Sequence, residues 1–252
     1  MRFFSPASCA GICLFPLEYL FPRFCGFCGT VLMGPDENGY GLCAFCRREL
    51  DALALFPGGE PCGRCGRPLI SESGTCLPCR NAEEGSVDSA AVVYPYSGTY
   101  RRLLAAYKFG KNLALGRFFA EKIIEVLDRL PLRDAEGAAL VPVPPRPGKI
   151  RKTGWDQIEY LARFLKRAGK DRPGIPPVCR CLRRLSSDSQ KKLDRKARQK
   201  NLAGRITVTQ KVPPLAVLFD DVMTTGSTLE ACAGALKASG ARRVYGICLF
   251  YD

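Results

Sequence analysis

Residues 217–229 read VLFDDVMTTGSTL, and this stretch carries the pattern that decides the fold of the chain. The apolar run that ends at Phe219 is short and continuous, which is typical of a buried strand in a parallel sheet. Asp220 and Asp221 follow it directly and place two carboxylates at the carboxyl end of the predicted strand. Ligands of α/β proteins bind at that end of the sheet, so the pair is a candidate binding site.

A hydroxyl-rich turn follows the acidic pair and opens a predicted helix. It consists of Thr224, Thr225, Gly226, Ser227 and Thr228. The free N–H groups and the dipole of a helix N-terminus favour an anion. Carboxylates followed by such a turn suit a sugar phosphate, because the acids accept hydrogen bonds from hydroxyls while the turn surrounds the phosphate. The alternative, acids that only end a strand and a hydroxyl that only caps a helix, requires all these features to coincide within nine residues.

The same thirteen residues resemble the phosphoribosyl pyrophosphate (PRPP) motif of type I phosphoribosyltransferases at every class of position. The resemblance implies that Asp220 and Asp221 hold the ribose 2- and 3-hydroxyls. It also implies that residues 224–228 hold the 5-phosphate and that Mg²⁺ accompanies PRPP.

Eight of the fourteen cysteines form four C-x-x-C pairs. The pairs are Cys25/Cys28, Cys43/Cys46, Cys62/Cys65 and Cys76/Cys79. Their spacing predicts two structural Zn²⁺ sites, since four thiolates leave no open position for catalysis. Pairing the first with the second and the third with the fourth is the simplest arrangement, and an interleaved arrangement also fits the spacing. The gaps between paired knuckles suit a short hairpin or turn, and unoxidised cysteines indicate a reducing cytoplasm.

The composition is that of a globular protein with a strong basic excess. The chain has 252 residues, 38 basic and 24 acidic side chains, a net charge of +14 and no histidine. The lack of histidine excludes His-based triads and His-ligated metal sites. The positive charge favours a polyanionic partner, either nucleic acid or a pyrophosphate-bearing substrate.

Two domains are predicted, with a polar linker between them. Residues 1–82 comprise a short amphipathic lead-in and a double zinc ribbon, and residues 87–252 form an α/β domain with a parallel sheet flanked by helices. No apolar run reaches about 18 residues, so no membrane span is expected. A secretory leader is disfavoured because it would carry the zinc cysteines into an oxidising space.

Two basic segments are candidates for contacts with pyrophosphate. The first is a proline-stiffened loop after a predicted strand at residues 140–143, and its cations are Arg146, Lys149, Arg151 and Lys152. The second is a long polar segment at residues 180–205, whose cations include Lys191, Lys192, Arg195 and Arg198. The second segment suits a lid over the ligand, a nucleic-acid contact or a solvated charged face.

The order of motifs along the chain resembles the ComF family of competence-associated proteins. After the zinc pairs come PVP at residues 142–144, the segment Gly154, Trp155, Asp156, Gln157, a Q-x-x-L-x-R-x-x-R-x-x-N-L pattern at residues 190–202, and the PRPP motif. The resemblance implies a type I phosphoribosyltransferase-like fold with a PRPP site, linked to the handling of incoming single-stranded DNA. Competence and recombination proteins are then the expected partners.

The chain departs from the family pattern beside the pyrophosphate loop. The family usually has Arg-Gly-Phe-Asn-Gln where residues 153–157 read TGWDQ, so an Arg is lost and a carboxylate is gained. Three functions are compatible with these features: a ComF-like protein that binds a phosphoribosyl ligand, a metabolic phosphoribosyltransferase acting on a base or amine, and a non-enzymatic nucleic-acid-binding module.

Overall fold

A computed structural model of the protein describes residues 21–54, 60–82, 84–130, 136–186 and 204–252. Most of the predicted lead-in and four of the predicted lid cations, Lys191, Lys192, Arg195 and Arg198, lie outside these ranges. Among the described residues, no helix has the length and apolar character needed to cross a membrane.

The described elements alternate between strands and helices after residue 88, as the pattern predicts. The helices are α1 (Gly34–Tyr40), α2 (Ala44–Leu53), α3 (Leu77–Arg80), α4 (Gly98–Lys108), α5 (Leu115–Leu127), α6 (Lys149–Thr153), α7 (Gln157–Asp171) and α8 (Ser227–Ala238). The strands are β1 (Ser89–Pro95), β2 (Ala138–Pro142), β3 (Leu182–Arg184), β4 (Ile206–Val208), β5 (Leu215–Met223) and β6 (Arg243–Tyr251).

Four parallel strands form the central sheet in the order β1–β6–β5–β2. The two middle strands, β5 and β6, are nine residues long and almost entirely buried. Strands covered on both faces need continuous apolar runs, which explains the run that identified β5 in the sequence. A separate antiparallel pair, β3–β4, lies against α8. The predicted α/β fold with a parallel sheet and flanking helices is confirmed.

The side chains of β5 alternate between two hydrophobic cores. Val217 and Phe219 pack on one face of the sheet with α4, α5, α7 and the first zinc-binding unit, the segment around Cys25/Cys28 and Cys43/Cys46. Ala216 and Leu218 pack with α8 and the β3–β4 pair on the other face. The period-2 alternation of a strand therefore determines which layer each residue of β5 meets, including the two acids that follow.

The strand β5 continues past the acidic pair, which the apolar run alone did not indicate. Asp220 pairs with Cys248 and Met223 pairs with Tyr251 of β6, so the strand ends at Met223. The long partner strand supplies hydrogen-bonding groups for four more residues. The acids therefore lie near the carboxyl end of β5, beside the carboxyl end of β2. There Val143 N donates to Phe219 O at 3.1 Å.

The first zinc-binding unit packs on the α/β layer rather than standing apart from it. The Tyr94 hydroxyl donates to Leu50 O at 2.9 Å, and Lys122 Nζ lies 2.6 Å from Asp51 Oδ1. Leu50 is buried in the same core as β5. The boundary predicted near residues 83–86 stays a prediction, although one hydrophobic core extends across it.

The gap between Cys28 and Cys43 contains helix α1, whereas the spacing suggested a hairpin or turn. Proline at its first turn fixes a helical φ, and Gly41 ends the helix at φ 66°. Its backbone N–H donates to Glu37 O, which satisfies a carbonyl at the helix end.

Candidate functional site

Asp220 and Asp221 lie at the end of β5 and face different layers of the protein. Asp221 is buried and points toward α4 and α7, while Asp220 lies near Arg184 and Cys232 on the side of α8. The Asp221 backbone N–H donates to Asp220 Oδ1 at 2.8 Å. Burial, and then the charge of Asp221, raise the pKa of Asp220 well above its usual value. Donors or a cation placed between the two acids would relieve this repulsion.

Two side chains from different helices hold Asp221 in place. Lys108 Nζ, at the end of α4, lies 2.7 Å from Asp221 Oδ2, and Gln157 Nε2, at the start of α7, donates to the same oxygen at 2.6 Å. The Tyr107 hydroxyl donates to Gln157 O at 2.8 Å, which fixes the start of α7 against α4. The carboxylate is therefore positioned before any ligand binds.

Asp156, the carboxylate of the TGWDQ segment at residues 153–157, is a buried helix cap. Its Oδ1 accepts from the backbone N–H groups of Ile158 at 2.9 Å and Glu159 at 3.0 Å. Its Oδ2 lies 2.5 Å from Lys149 Nζ, and Lys149 also donates to Gln157 Oε1. The added negative charge is thus neutralised within the protein, and Lys149 is directed inward rather than into solvent.

These groups surround a cavity of about 500 Å³ between the carboxyl ends of β2 and β5. The described side chains that line it include four cations, Lys108, Arg146, Lys149 and Arg184, and three acids, Asp156, Asp220 and Asp221. Burial, and then the charge of Arg146, lower the pKa of Arg184. An arginine stays protonated at neutral pH even so, and two neighbouring guanidinium groups favour an anion with several oxygens.

The structure brings some of the predicted site residues together and leaves others apart. Arg146, Lys149 and Thr228 line the cavity with the acidic pair, whereas Arg151 and Lys152 are exposed on α6 and do not line it. The segment predicted as a loop there forms the short helix α6, which begins after Gly148 at φ 75°.

Lys108 and Arg184 are the site residues that the sequence did not single out. Lys108 was recognisable only as the polar end of an amphipathic helix, and Arg184 only as one cation of a basic segment. Neither lies in a motif. Lys108 reaches a partner 113 positions away in the chain, a contact that depends on the packing of α4 against β5.

The hydroxyl-rich turn runs from the end of β5 into α8, as predicted. Gly226 precedes the first residue of the twelve-residue helix at φ 73°, a left-handed conformation that favours glycine. The Thr225 hydroxyl donates to Ser227 Oγ at 3.0 Å. The backbone N–H groups at the start of α8 and these hydroxyls form an arrangement suited to an anion.

The eight paired cysteines form two four-sulfur clusters, Cys25/Cys28/Cys43/Cys46 and Cys62/Cys65/Cys76/Cys79. Within each cluster the sulfurs lie within 4.8 Å of one another. Tetrahedral Zn²⁺ with bonds of about 2.3 Å requires sulfur separations of about 3.8 Å. The distances are 3.8 Å between Cys28 and Cys43 and 3.7 Å between Cys65 and Cys76. The donor sets fit structural zinc, and the pairing is sequential rather than interleaved.

One thiol in each cluster has a lowered pKa. A hydrogen bond with the Thr30 hydroxyl lowers the pKa of Cys28 to about 6. Burial would raise the pKa of Cys62, but the backbone N–H groups of Cys65, Cys76 and Arg64 outweigh it and lower the pKa to about 6. Each cluster therefore offers a thiolate near neutral pH, which is the form that binds zinc.

Comparisons with known proteins agree with this architecture. A family model described as a double zinc ribbon domain matches residues 16–80. The chain is 27% identical over 215 residues to competence protein F of Haemophilus influenzae. The aligned segment covers 81% of this chain and 87% of that protein. The resemblance to the ComF family is confirmed. Competence protein ComFC of Bacillus subtilis is 27% identical over 217 residues, covering 83% of this chain and 82% of that protein.

The alignment with a third relative is of similar length. Competence protein ComFC of Streptococcus pneumoniae is 24% identical over 223 residues, with 86% of this chain and 90% of that protein covered. The similarity to each of these ComF proteins therefore extends over more than four-fifths of the chain.

Proposed function

We propose that the chain binds a phosphoribosyl ligand bearing pyrophosphate, PRPP with Mg²⁺, in the cavity at the carboxyl ends of β2 and β5. The observation that carries this proposal is the placement of Asp220 and Asp221 among the cations Lys108, Arg146 and Arg184. Sugar hydroxyls and a highly charged pyrophosphate need these two kinds of group close together.

Each part of the ligand has a matching group in the site. Asp220 and Asp221 would accept hydrogen bonds from the ribose hydroxyls, and residues 224–228 would hold the 5-phosphate. Arg146 and Arg184 would contact pyrophosphate from the side of β2 and β3. Mg²⁺, when bound, would neutralise part of the pyrophosphate charge, and oxygen donors such as Asp220 are the ligands it prefers.

Ribosyl transfer from such a site would depend on positioning and charge more than on a strong base. Departure of pyrophosphate from the ribose leaves an oxocarbenium-like carbon, and the surrounding groups stabilise it by orientation and charge neutralisation. The buried network of Asp156, Lys149 and Gln157 would keep the Asp221 carboxylate oriented throughout.

The role of the chain is proposed to lie in competence, in the uptake or processing of single-stranded DNA in the cytoplasm. The names of its relatives, competence protein F and competence protein ComFC, support this role. The net charge of +14 also suits a partner as anionic as nucleic acid.

Calorimetric titration of the zinc-loaded chain with PRPP and Mg²⁺ tests the proposal. We expect the double variant Asp220→Asn/Asp221→Asn to bind PRPP at least tenfold more weakly, because the amides accept more weakly from hydroxyls and do not attract Mg²⁺. Asp128→Asn, an exposed acid paired with Arg172 at 3.7 Å, is the matched control and should bind as the unmodified chain does. Equal affinity in the double variant would refute the assignment of the site.

A further inference from the structure

Two of the cysteines that the zinc clusters do not use, Cys179 and Cys181, lie close together in the chain. They belong to the segment that connects the sheet to β3. Cys179 N donates to Leu140 O at 2.8 Å, so the segment first runs beside β2. Thr209 N donates to Cys181 O at 2.8 Å, so the segment then enters the β3–β4 pair. The two cysteines therefore lie where the chain passes from the sheet to β3.

The two thiols face the same side of this extended segment. Arg180, between them, points the other way, because its Nε lies 2.7 Å from Glu159 Oε2 on α7. Cys181 is fully buried in the core that α8 covers, and Cys179 packs against the same core while it stays partly exposed. Alternate residues of an extended chain share one side, which brings two thiols two positions apart together.

The surroundings of the two thiols differ, and this difference assigns a role to each. Solvent reaches Cys179, and Gln210 Nε2 donates to its sulfur at 3.5 Å. Burial, and then the charge of Cys179 and a hydrogen bond with it, raise the pKa of Cys181 to about 12. An accessible cysteine sulfur reacts first with an oxidant, and a neighbouring thiol then resolves the product.

A disulfide between these cysteines requires the segment to shorten slightly. Cα atoms two positions apart in an extended strand are separated by about 6.6 Å, since each residue rises about 3.3 Å. Disulfides join Cα atoms at about 4.4–6.8 Å, and most often at about 5.5–6 Å. The bond therefore forms with a contraction of about 1 Å or less, which pulls on the backbone at both ends of the segment.

The segment that would shorten leads directly into a strand of the proposed ligand site. Strand β3 has three residues, and its last residue is Arg184, which lines the first-described cavity with Asp220. The bond from Thr209 N to Cys181 O fixes the start of this strand. So short a strand transmits a shift at its start to its last residue.

We propose that Cys179 and Cys181 form a peroxide-sensitive dithiol, a modification site whose disulfide draws Arg184 away from the cavity. The Cys179 sulfur attacks one oxygen of hydrogen peroxide, the O–O bond breaks, and the products are a sulfenic acid and water. The Cys181 sulfur then attacks the sulfenic sulfur, and its proton leaves with the hydroxyl group as a second water while the S–S bond forms. The two thiols lose two electrons and the peroxide gains them.

Peptide mapping of the zinc-loaded full chain tests the disulfide after brief exposure to hydrogen peroxide, alkylation of free thiols and digestion with trypsin. Cleavage after Arg180 separates the two cysteines into peptides 171–180 and 181–183. We expect these peptides to stay joined in the oxidised chain by a bond that dithiothreitol breaks. Cys179→Ser, at a partly exposed position, should abolish the joined species, and Cys181→Ser should leave a sulfenic acid at Cys179 that dimedone labels.

Cys232→Ser is the matched control, because Cys232 is a buried thiol of α8 whose pKa Cys181 influences. The joined peptides should form in this variant as in the unmodified chain. A link from 181–183 to peptide 212–237, which contains Cys232, would overturn the proposed pairing. Full alkylation of both Cys179 and Cys181 after peroxide treatment would overturn it as well.

Calorimetry with PRPP and Mg²⁺ tests the consequence for the cavity, the part of this inference that rests on the proposed function. We expect the disulfide form to bind about tenfold more weakly than the reduced chain, because a charge-assisted contact of Arg184 is lost. Dithiothreitol should restore the affinity. Peroxide-treated Cys179→Ser should bind as the reduced chain does, and an equal loss in that variant would contradict the role of the dithiol.

Hydrogen exchange keeps this inference separate from the phosphoribosyl proposal. If the reduced chain does not bind PRPP, the phosphoribosyl proposal fails, while the peptide map still decides whether the disulfide forms. Displacement of β3 is then measured by exchange of its amides, which should become faster on oxidation and return to the original rate on reduction. Unchanged exchange in β3 in a chain that carries the disulfide would contradict the displacement of Arg184.

Discussion

Single residues of the site are fixed by a buried polar network. Asp156 and Gln157 are each 5% exposed and Asp221 is 6% exposed, so unpaired polar atoms there would be costly. Lys149 and Lys108 supply the compensating charges at the two ends of the network. The negative charge of the Asp156 carboxylate is therefore compensated within the protein by Lys149.

Replacement of Asp156 tests this network. Asp156→Ala removes the cap of α7 and the partner of Lys149, and we expect a loss of about 2 kcal/mol in the free energy of unfolding. Asp156→Asn keeps the capping oxygen and should lose less than half as much. Urea denaturation followed by circular dichroism measures both changes.

The last residue of the same helix provides the control for Asp156. Asp171→Ala should change the free energy of unfolding by about 0.5 kcal/mol or less, since Asp171 is exposed and does not cap the helix. If Asp156→Asn is as damaging as Asp156→Ala, the charge of the carboxylate and not its capping role dominates.

The edge strand β1 is covered by a unit from outside the sheet. It is an edge strand, and exposed edges tend to pair with other chains unless something covers them. Here the second zinc unit, the segment around Cys62/Cys65 and Cys76/Cys79, covers β1: Ala90 N donates to Arg64 O at 2.9 Å. Close approach at this point requires a residue without a side chain, and Gly66 supplies it.

Alanine substitutions at two glycines of the second zinc unit distinguish the loss of packing against β1 from the strain of a left-handed backbone. Gly66 and Gly74 have φ of 72° and 69°, but a Cβ at Gly74 would meet nothing within 4 Å. Gly74→Ala should therefore cost only the strain of about 1–2 kcal/mol. Gly66→Ala should cost roughly 1–3 kcal/mol more, because the added carbon displaces the knuckle from Ala90. Denaturant unfolding of the two variants, with hydrogen exchange at β1, measures the difference. Equal losses would show that the knuckle does not press on the strand.

Elements with local signals were predictable from the sequence, and contacts made by tertiary packing were not. Neighbouring residues determine the apolar runs of β5 and β6 and the spacing of the cysteine pairs. The strand and zinc predictions therefore agree with the structure. Helix α6 and strand β3 are short, and their formation depends on the layers they join. The role of Lys108 depends on the end of α4 meeting β5, which no local pattern encodes.

At the scale of the whole molecule, the zinc ribbon and the α/β layer share one hydrophobic core. Leu42 and Leu50 from the first zinc unit lie in the same cluster as Phe118 of α5 and Phe219 of β5. A structural zinc site supplies folding free energy to the segment that binds it. Zinc bound at the first cluster would therefore stabilise part of the core under the sheet, and zinc bound at the second would hold the unit that covers the edge strand.

Metal analysis and zinc removal test this coupling. We expect two zinc ions per chain by mass spectrometry, and one in each of the variants Cys46→Ser and Cys76→Ser, since each removes a buried ligand from a different cluster.

Chelation should lower the melting temperature of the whole chain and expose amides of α5 and β1 to exchange. Cys46→Ser should affect α5 more, and Cys76→Ser should affect β1 more, because each zinc unit packs on a different element. Cys248→Ser, at a buried thiol outside both clusters, should keep both metals. Unchanged protection of α5 and β1 after zinc removal would show that the ribbon and the α/β layer fold independently.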